Sequence, residues 1–364
     1  MTYGLPYKGS KTKLAERIID LMPRAEHLYD LFAGGCAVAH CALVKGKYSH
    51  IHVNDINPMM PQAFVKALQG GFDEEDRWIS REDFFRLKDT DPYAALCFSF
   101  GSDMRTYIYG KDKEEYKKAL HYAIYFNSFD LSDKLIGVDL RPIQSCSTRQ
   151  ERYLMTKRLI KDAGITPPLN SKTTGGSGEC RLQNCERHGR LSAQKKKNRL
   201  AESRMPQQDA LTGTGGWRTS NDTNVLPPPF SRIELESNEK ITRLKGVSGD
   251  ESNLTWSATD YQDVIIMENS VIYCDIPYKG TNKYAGKGAD FDHDRFYEWA
   301  LRQAQPIFIS SYDMPKEDFK VIAEFKRTDT LSATNNSLRV TERIFIPRTQ
   351  EYIKDNGLFG NIMI

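Results

Sequence analysis

His27-Leu28-Tyr29-Asp30-Leu31-Phe32-Ala33-Gly34-Gly35 is the stretch that decides the fold. His27 to Phe32 reads as a short strand that runs directly into a glycine turn. A helix is predicted behind the turn, from about Ala37 to Lys45, because the apolar residues there recur at helical spacing. A second strand, His50 to Val53, ends in Asn54-Asp55-Ile56-Asn57, and Met59 to Gln69 is again helical. Upstream, Lys13 to Met22 has helical spacing and Pro23 stops it. Strand, glycine turn, helix, strand and acid in that order predict a parallel βαβ unit with a right-handed crossover.

The same residues predict a ligand. Glycines straight after a strand let backbone approach a bound group closely, and the helix N-terminus behind them favours a carboxylate or phosphate. Asp55 follows Gly34 by 21 residues, the spacing of an acid that holds both hydroxyls of a ribose. An ordinary tight turn accounts for the glycines alone. The acid at the end of the next strand points instead to an adenosine-containing ligand. GxGxxG is absent, which argues against a nicotinamide cofactor.

Further along, the texture changes and then returns. Residues 168–230 are rich in Gly, Ser, Thr, Asn and Lys and lack hydrophobic periodicity, which reads as a long insertion. Near Asp260 the α/β pattern resumes, with a strand from Ser270 to Cys274, a helix from Phe291 to Gln303 and a strand from Pro306 to Ser310. Phe319 to Lys326 and Arg339 to Ile346 look like a closing antiparallel hairpin at the sheet edge. Asp275-Ile276-Pro277-Tyr278 puts an acid, a stiff turn and an aromatic ring at the carboxyl end of a buried strand, where open α/β sheets bind ligands. The expected organisation is one sheet built from both ends of the chain, residues 1–140 and 259–364, interrupted by an insertion at 141–258.

Composition narrows the function classes. The 364 residues are 39% hydrophobic and 27% charged, a globular composition able to build a real core. No apolar run reaches the roughly 18 residues of a membrane span, and the start, MTYGLPYKGSKTKL, has no apolar signal region, so a cytoplasmic location and no membrane partner are expected. Seven scattered cysteines do not form a disulfide framework. The net charge of +3 decides nothing, but residues 171–204 hold nine Lys or Arg against three Glu. Within them, Lys195, Lys196 and Lys197 are candidates for phosphate contacts, a solvated face being the plain alternative. Cys180, Cys185 and His188 invite zinc but lack the second ligand pair such a site needs, so no metal is expected. The segment from Phe98 to Lys111 mixes aromatics with Arg and Lys, and Arg105, Tyr107 and Lys111 are its candidates for nucleic-acid contact, against an aromatic core beside a surface turn.

Taken together, the motifs resemble the Dam-like DNA adenine methyltransferases of phage and bacterial type. Tyr7-Lys8-Gly9-Ser10-Lys11, Asp30-Leu31-Phe32-Ala33-Gly34-Gly35, Asn54-Asp55-Ile56-Asn57 and Asp275-Ile276-Pro277-Tyr278 follow the family's order, and Phe308 to Pro315 and Glu342-Arg343 are similar too. The resemblance covers about residues 1–140 and 260–350 and implies a Rossmann-like sheet using S-adenosyl-L-methionine, with an inserted target-recognition domain. It implies that Tyr7, Lys11, Asp30, Phe32 and Gly34 surround the methyl donor and that Asp55 holds its ribose. Asp275 would touch both the donor side and the target amine, and Tyr278 would stack on an adenine flipped out of double-stranded DNA. A monomer serving DNA modification or restriction protection is the expected context.

This chain departs from the family at Ile276, where the family has proline. The adenine amine is a poor nucleophile because its lone pair is delocalised into the ring. Two acceptors for its N–H groups, a carboxylate and a backbone carbonyl, favour the tetrahedral nitrogen that attacks methyl. Ile276 retains the carbonyl, and Pro277 still biases it towards an extended conformation. Retained chemistry is therefore expected, the alternatives being a catalytically weakened DNA-binding descendant or a methyltransferase acting on RNA.

Overall fold

Both ends of the chain build one sheet. The computed structural model describes residues 2–73, 75–165, 253–279, 291–329 and 338–351. Its strands are β1 (His27–Asp30), β2 (His50–Asn54), β3 (Leu254–Ser257), β4 (Ser270–Asp275), β5 (Ile307–Ser311), β6 (Phe319–Asp329) and β7 (Leu338–Pro347). They lie in the order β3-β2-β1-β4-β5-β7-β6. The first five are parallel, while β7 runs antiparallel between β5 and β6. The closing hairpin is thus as its alternation predicts, with β6 outermost. The chain leaves β1 towards β2 on one side, and β4 flanks β1 on the other. That reversal opens a crevice at the carboxyl ends of β1 and β4.

Alternation along the strands divides the core. Val271 and Tyr273 of β4 join Leu28, Ile51 and Val53 under helices α1 (Ala15–Leu21), α2 (Ala37–Lys45) and α3 (Met59–Leu68). Ile272 and Cys274 join Tyr29, Ile307 and Ile309 on the opposite face. Burial on both faces explains why β4 reads as an unbroken apolar run. The short helices have readable ends. Met22 is extended ahead of Pro23 and closes α1, and Gly46 closes α2 in the left-handed conformation.

After β2 the predicted alternation of helix and strand stops. Helices α3, α4 (Arg81–Leu87) and α5 (Pro92–Cys97) follow one another, with Ser80 capping α4 and Asp91 capping α5 ahead of Pro92. Helices α6 (Glu114–Phe126), α7 (Asp130–Leu135) and α8 (Arg149–Asp162) then form a core of their own, in which Tyr153 and Ile160 pack with Ala119, Leu120, Ala123 and Ile124. A reciprocal capping box, Thr148 with Glu151, starts α8.

Two elements therefore fall outside their expected segment. Helix α8 shares its core with α6 across the 140/141 boundary. Strand β3 pairs with β2 inside the 141–258 segment, so the sheet resumes by Leu254. As a four-residue edge strand with Thr255 and Trp256 exposed, β3 has no apolar periodicity to announce it. All described residues belong to one compact unit, Met1–Ile165 with Pro228–Ile364, while a second unit, Thr166–Pro227, lies outside them. Among the described residues no helix is long and apolar enough to cross a membrane.

Candidate active site

Four separate pieces of chain converge on the crevice: the loop carrying Tyr7 and Lys11, and the carboxyl ends of β1, β2 and β4. The crevice is open, with about 800 Å³ of space including the part shared with solvent. The candidate donor residues Tyr7, Lys11, Asp30, Phe32, Gly34, Asp55 and Asp275 all line it, as does Pro277.

Close approach explains the glycine turn. Gly34 has φ +47, and a Cβ there would stand 2.9 Å from Cε1 of the Tyr7 ring. A Cβ on Gly35 would meet the Leu5 carbonyl oxygen and the Tyr7 Cβ, each at 2.8 Å. The turn is thus fitted around Tyr7. It is also tied to the acid on the next strand, since Gly34 N–H donates to Asp55 Oδ2 at 2.8 Å and Asn57 N–H to Oδ1 at 2.9 Å. These bonds oppose the burial that raises the Asp55 pKa. A carboxylate offers about four lone-pair positions, so acceptor capacity remains on both oxygens. Behind it, Asn54 donates to the Leu31 and Thr259 carbonyls and accepts from Ser257, bracing the end of β2 against its neighbours.

Asp30 is 1% exposed at the end of β1. Its Oδ2 accepts from Ala39 N–H at 3.3 Å, while Oδ1 is buried without a hydrogen-bond partner among the described residues. Burial first, and the nearby Asp275 charge second, push its pKa up to about 8. A buried carboxyl oxygen with no partner among the described residues is a place for a donor from a ligand.

Asp275 is engaged on both oxygens. Lys11 Nζ lies 2.6 Å from Oδ2, and the Tyr278 hydroxyl lies 3.1 Å from Oδ1. Glu342, on β7 and fully buried, accepts from both, with Lys11 Nζ at 3.0 Å and the Tyr278 hydroxyl at 2.9 Å. Burial works against the Lys11 ammonium, but Asp275 and Glu342 outweigh it and hold its pKa above the ordinary value. The Asp275 pKa is raised by burial and by the like charge of Glu342, against the pull of Lys11. The Tyr278 ring lies under Lys11, 5.2 Å from Nζ to centroid, and 4.2 Å from the Tyr312 ring. Tyr278 is itself 8% exposed. A flipped base could stack on it only after rearrangement of these neighbours.

Ile276 is buried in the core on the α9 side of the sheet, α9 being the helix His293–Leu301. The Pro277 carbonyl accepts from His293 Nε2 at 2.8 Å, which leaves the Ile276 carbonyl as the candidate backbone acceptor. Phe32 packs against Tyr261, Phe291 and Phe296 at the crevice wall.

The expected nucleic-acid contacts fare unevenly. Arg105 and Lys111 are exposed. Tyr107 is a correction: it is a core residue, 4% exposed, packed against Phe84 and donating its hydroxyl to the Ile79 carbonyl at 2.8 Å. Phe98, Tyr107 and Tyr109 of this segment pack inward, while Phe100 stays exposed with Arg105 and Lys111. Lys195, Lys196, Lys197, Cys180, Cys185 and His188 lie outside the described residues.

Sequence reasoning left Glu342 without a role. A signal existed: Glu342, Ile344 and Ile346 share one side of β7, so an acid stands at an inward, otherwise apolar position. Ile56, 74% exposed at the crevice beside Asp55, also went unassigned.

Residues 7–132 match the family described as D12 class N6 adenine-specific DNA methyltransferase. The resemblance to DNA adenine methyltransferases therefore holds over this part of the chain. No curated protein matches the sequence.

Proposed function

We propose that the protein transfers a methyl group from S-adenosyl-L-methionine to N6 of an adenine flipped out of double-stranded DNA. One observation carries the reading: three acids, at the ends of β1, β2 and β4, meet Lys11 around a single crevice behind a glycine turn. The residues suit the donor. Asp30 Oδ1 lacks a partner among the described residues and can accept from the amino-acid ammonium, while Asp55 keeps acceptor capacity for two ribose hydroxyls. The exposed Ile56 can cover an apolar ring face beside them.

When bound, the donor supplies an activated methyl on a sulfonium. The protein's own part is to prepare the amine. Asp275 Oδ1 and the Ile276 carbonyl accept its two N–H groups and favour the tetrahedral nitrogen, each such preorganised acceptor being worth a few kcal/mol in a dry site. For this the Tyr278 hydroxyl yields Oδ1, and its ring becomes free to stack on the base, which contributes about 1–3 kcal/mol. Flipping costs a few kcal/mol of stacking and pairing. Arg105, Lys111 and the Lys195–Lys197 run would hold phosphates, and 166–252 would carry much of target recognition. The biological setting, on this reading, is DNA modification or protection from restriction.

Incubation with S-adenosyl-L-methionine and mixed-sequence duplex DNA, followed by nucleoside mass spectrometry, tests the proposal. N6-methyladenine in the DNA is the expected product. Methylated cytosine, or methylation confined to RNA, overturns it, and donor binding without any product identifies a weakened descendant.

A further inference from the structure

Glu342 has no evident reason to be acidic on packing grounds. Its neighbours on the same side of β7, Ile344 and Ile346, belong to the hydrophobic core, and an apolar side chain would fit the alternation. Burying a carboxylate carries a desolvation cost of several kcal/mol, offset only by good partners. What the position contributes is a pull on Lys11. The ammonium stands between two carboxylates, 2.6 Å from Asp275 and 3.0 Å from Glu342. Against Asp275 alone, it would cancel the charge of that carboxylate at the crevice.

We propose that Glu342 is a positioning residue that sets the charge of the crevice: by sharing the Lys11 ammonium, it leaves Asp275 able to face a cationic methyl donor, so the site prefers the sulfonium to its neutral product. The proposal rests on the methyl-transfer reading above. In the transfer, the methyl–sulfur bond breaks with its electron pair left on sulfur, and the N6 lone pair forms the new bond. The nitrogen then loses one proton, which passes by way of the Asp275 carboxylate to water. The donor thus ends as an uncharged thioether, and a site of negative potential holds it less well than the cation it replaced. Removal of the Glu342 charge makes the crevice one unit more positive whatever other groups touch the side chain, and Glu342→Gln retains an acceptor for Lys11 and Tyr278.

The test measures dissociation constants of S-adenosylmethionine and S-adenosylhomocysteine by calorimetry at fixed ionic strength, with circular dichroism as a check of folding. In Glu342→Gln the preference for the charged ligand falls about tenfold, chiefly through weaker S-adenosylmethionine binding. The double variant Glu342→Gln/Lys11→Met removes one charge of each sign and returns the ratio towards the wild-type value. Equal weakening of both ligands, or an unchanged ratio, overturns the proposal. If Glu342→Gln does not fold, Lys11→Met alone decides: a preference for the charged ligand above the wild-type value supports the proposal, and an unchanged or lowered one overturns it. Wild-type protein that binds neither ligand overturns it as well, through failure of the methyl-transfer reading, and that failure is distinct from an unresponsive ratio.

Discussion

Asp30 and Tyr278 make separate predictions from their surroundings. Burial holds Asp30 protonated up to a pKa of about 8, whereas an unfolded chain titrates it near the ordinary carboxylate value. Between those values the folded state keeps a proton that the unfolded state releases, so this group's contribution to stability falls as pH rises through that window. A ligand ammonium against Oδ1 would reverse the preference. Donor binding near neutral pH is therefore expected to release close to one proton. Titration calorimetry in buffers of different ionisation enthalpy reads that proton, and Asp30→Asn should abolish its release. No release from the wild type would remove Asp30 from the donor site. For Tyr278, the ring and the hydroxyl separate cleanly. Tyr278→Phe should retain methyl transfer within about threefold, because the hydroxyl leaves Oδ1 before the base arrives. Tyr278→Ala should lose about 10–100-fold for want of a stacking ring, read in single-turnover kinetics. A Phe variant as impaired as the Ala variant would show that the hydroxyl, not the ring, matters.

At the level of elements, the turn after β1 depends on what it packs against as well as on its own glycines. Gly34 is both left-handed and pressed against Tyr7, so Gly34→Ala strains the backbone and displaces the ring. Donor affinity is expected to fall at least about tenfold by calorimetry, with thermal unfolding shifted only slightly. Unaltered affinity would mean that the turn does not shape the donor site. How far the elements were legible follows from the same physics. The turn, α2, β2 and Asp55 could be read because glycine, periodicity and an acid at fixed spacing each have a local cause. Strand β3 could not, since it is short, edge-placed and half exposed. Helix α8 could not be assigned to its core because its partners on α6 lie far back in sequence. Tyr107 reads equally well as a surface aromatic or a buried one until Phe84 is brought against it. Glu342 is intermediate. Its inward parity on β7 was readable, but its meeting with Lys11 at the far end of the chain was not.

For the molecule as a whole, the proposed function divides the work between a sheet that would hold the donor and basic residues that would hold DNA. The division predicts that Lys195→Ala/Lys196→Ala/Lys197→Ala weakens DNA binding and reduces the slope of affinity against salt, by up to about 1 for each phosphate no longer neutralised. Donor affinity should stay unchanged, as measured by anisotropy and calorimetry on the same preparations. A triple variant with wild-type DNA affinity would show a solvated lysine run. The domain limits were legible only coarsely, because a polar, aperiodic stretch marks where the sheet pattern is missing without marking where helices or an edge strand resume. The central claim is methyl transfer at the end of β4. The most direct measurement follows label from S-adenosylmethionine into duplex DNA, for the wild type and for Asp275→Ala, with donor affinity measured beside it. Label is expected in N6-methyladenine from the wild type, with a loss of at least about 10²–10³-fold in the variant, beyond any change in donor binding. Wild-type label in another base, or full activity without the Asp275 carboxylate, would contradict it.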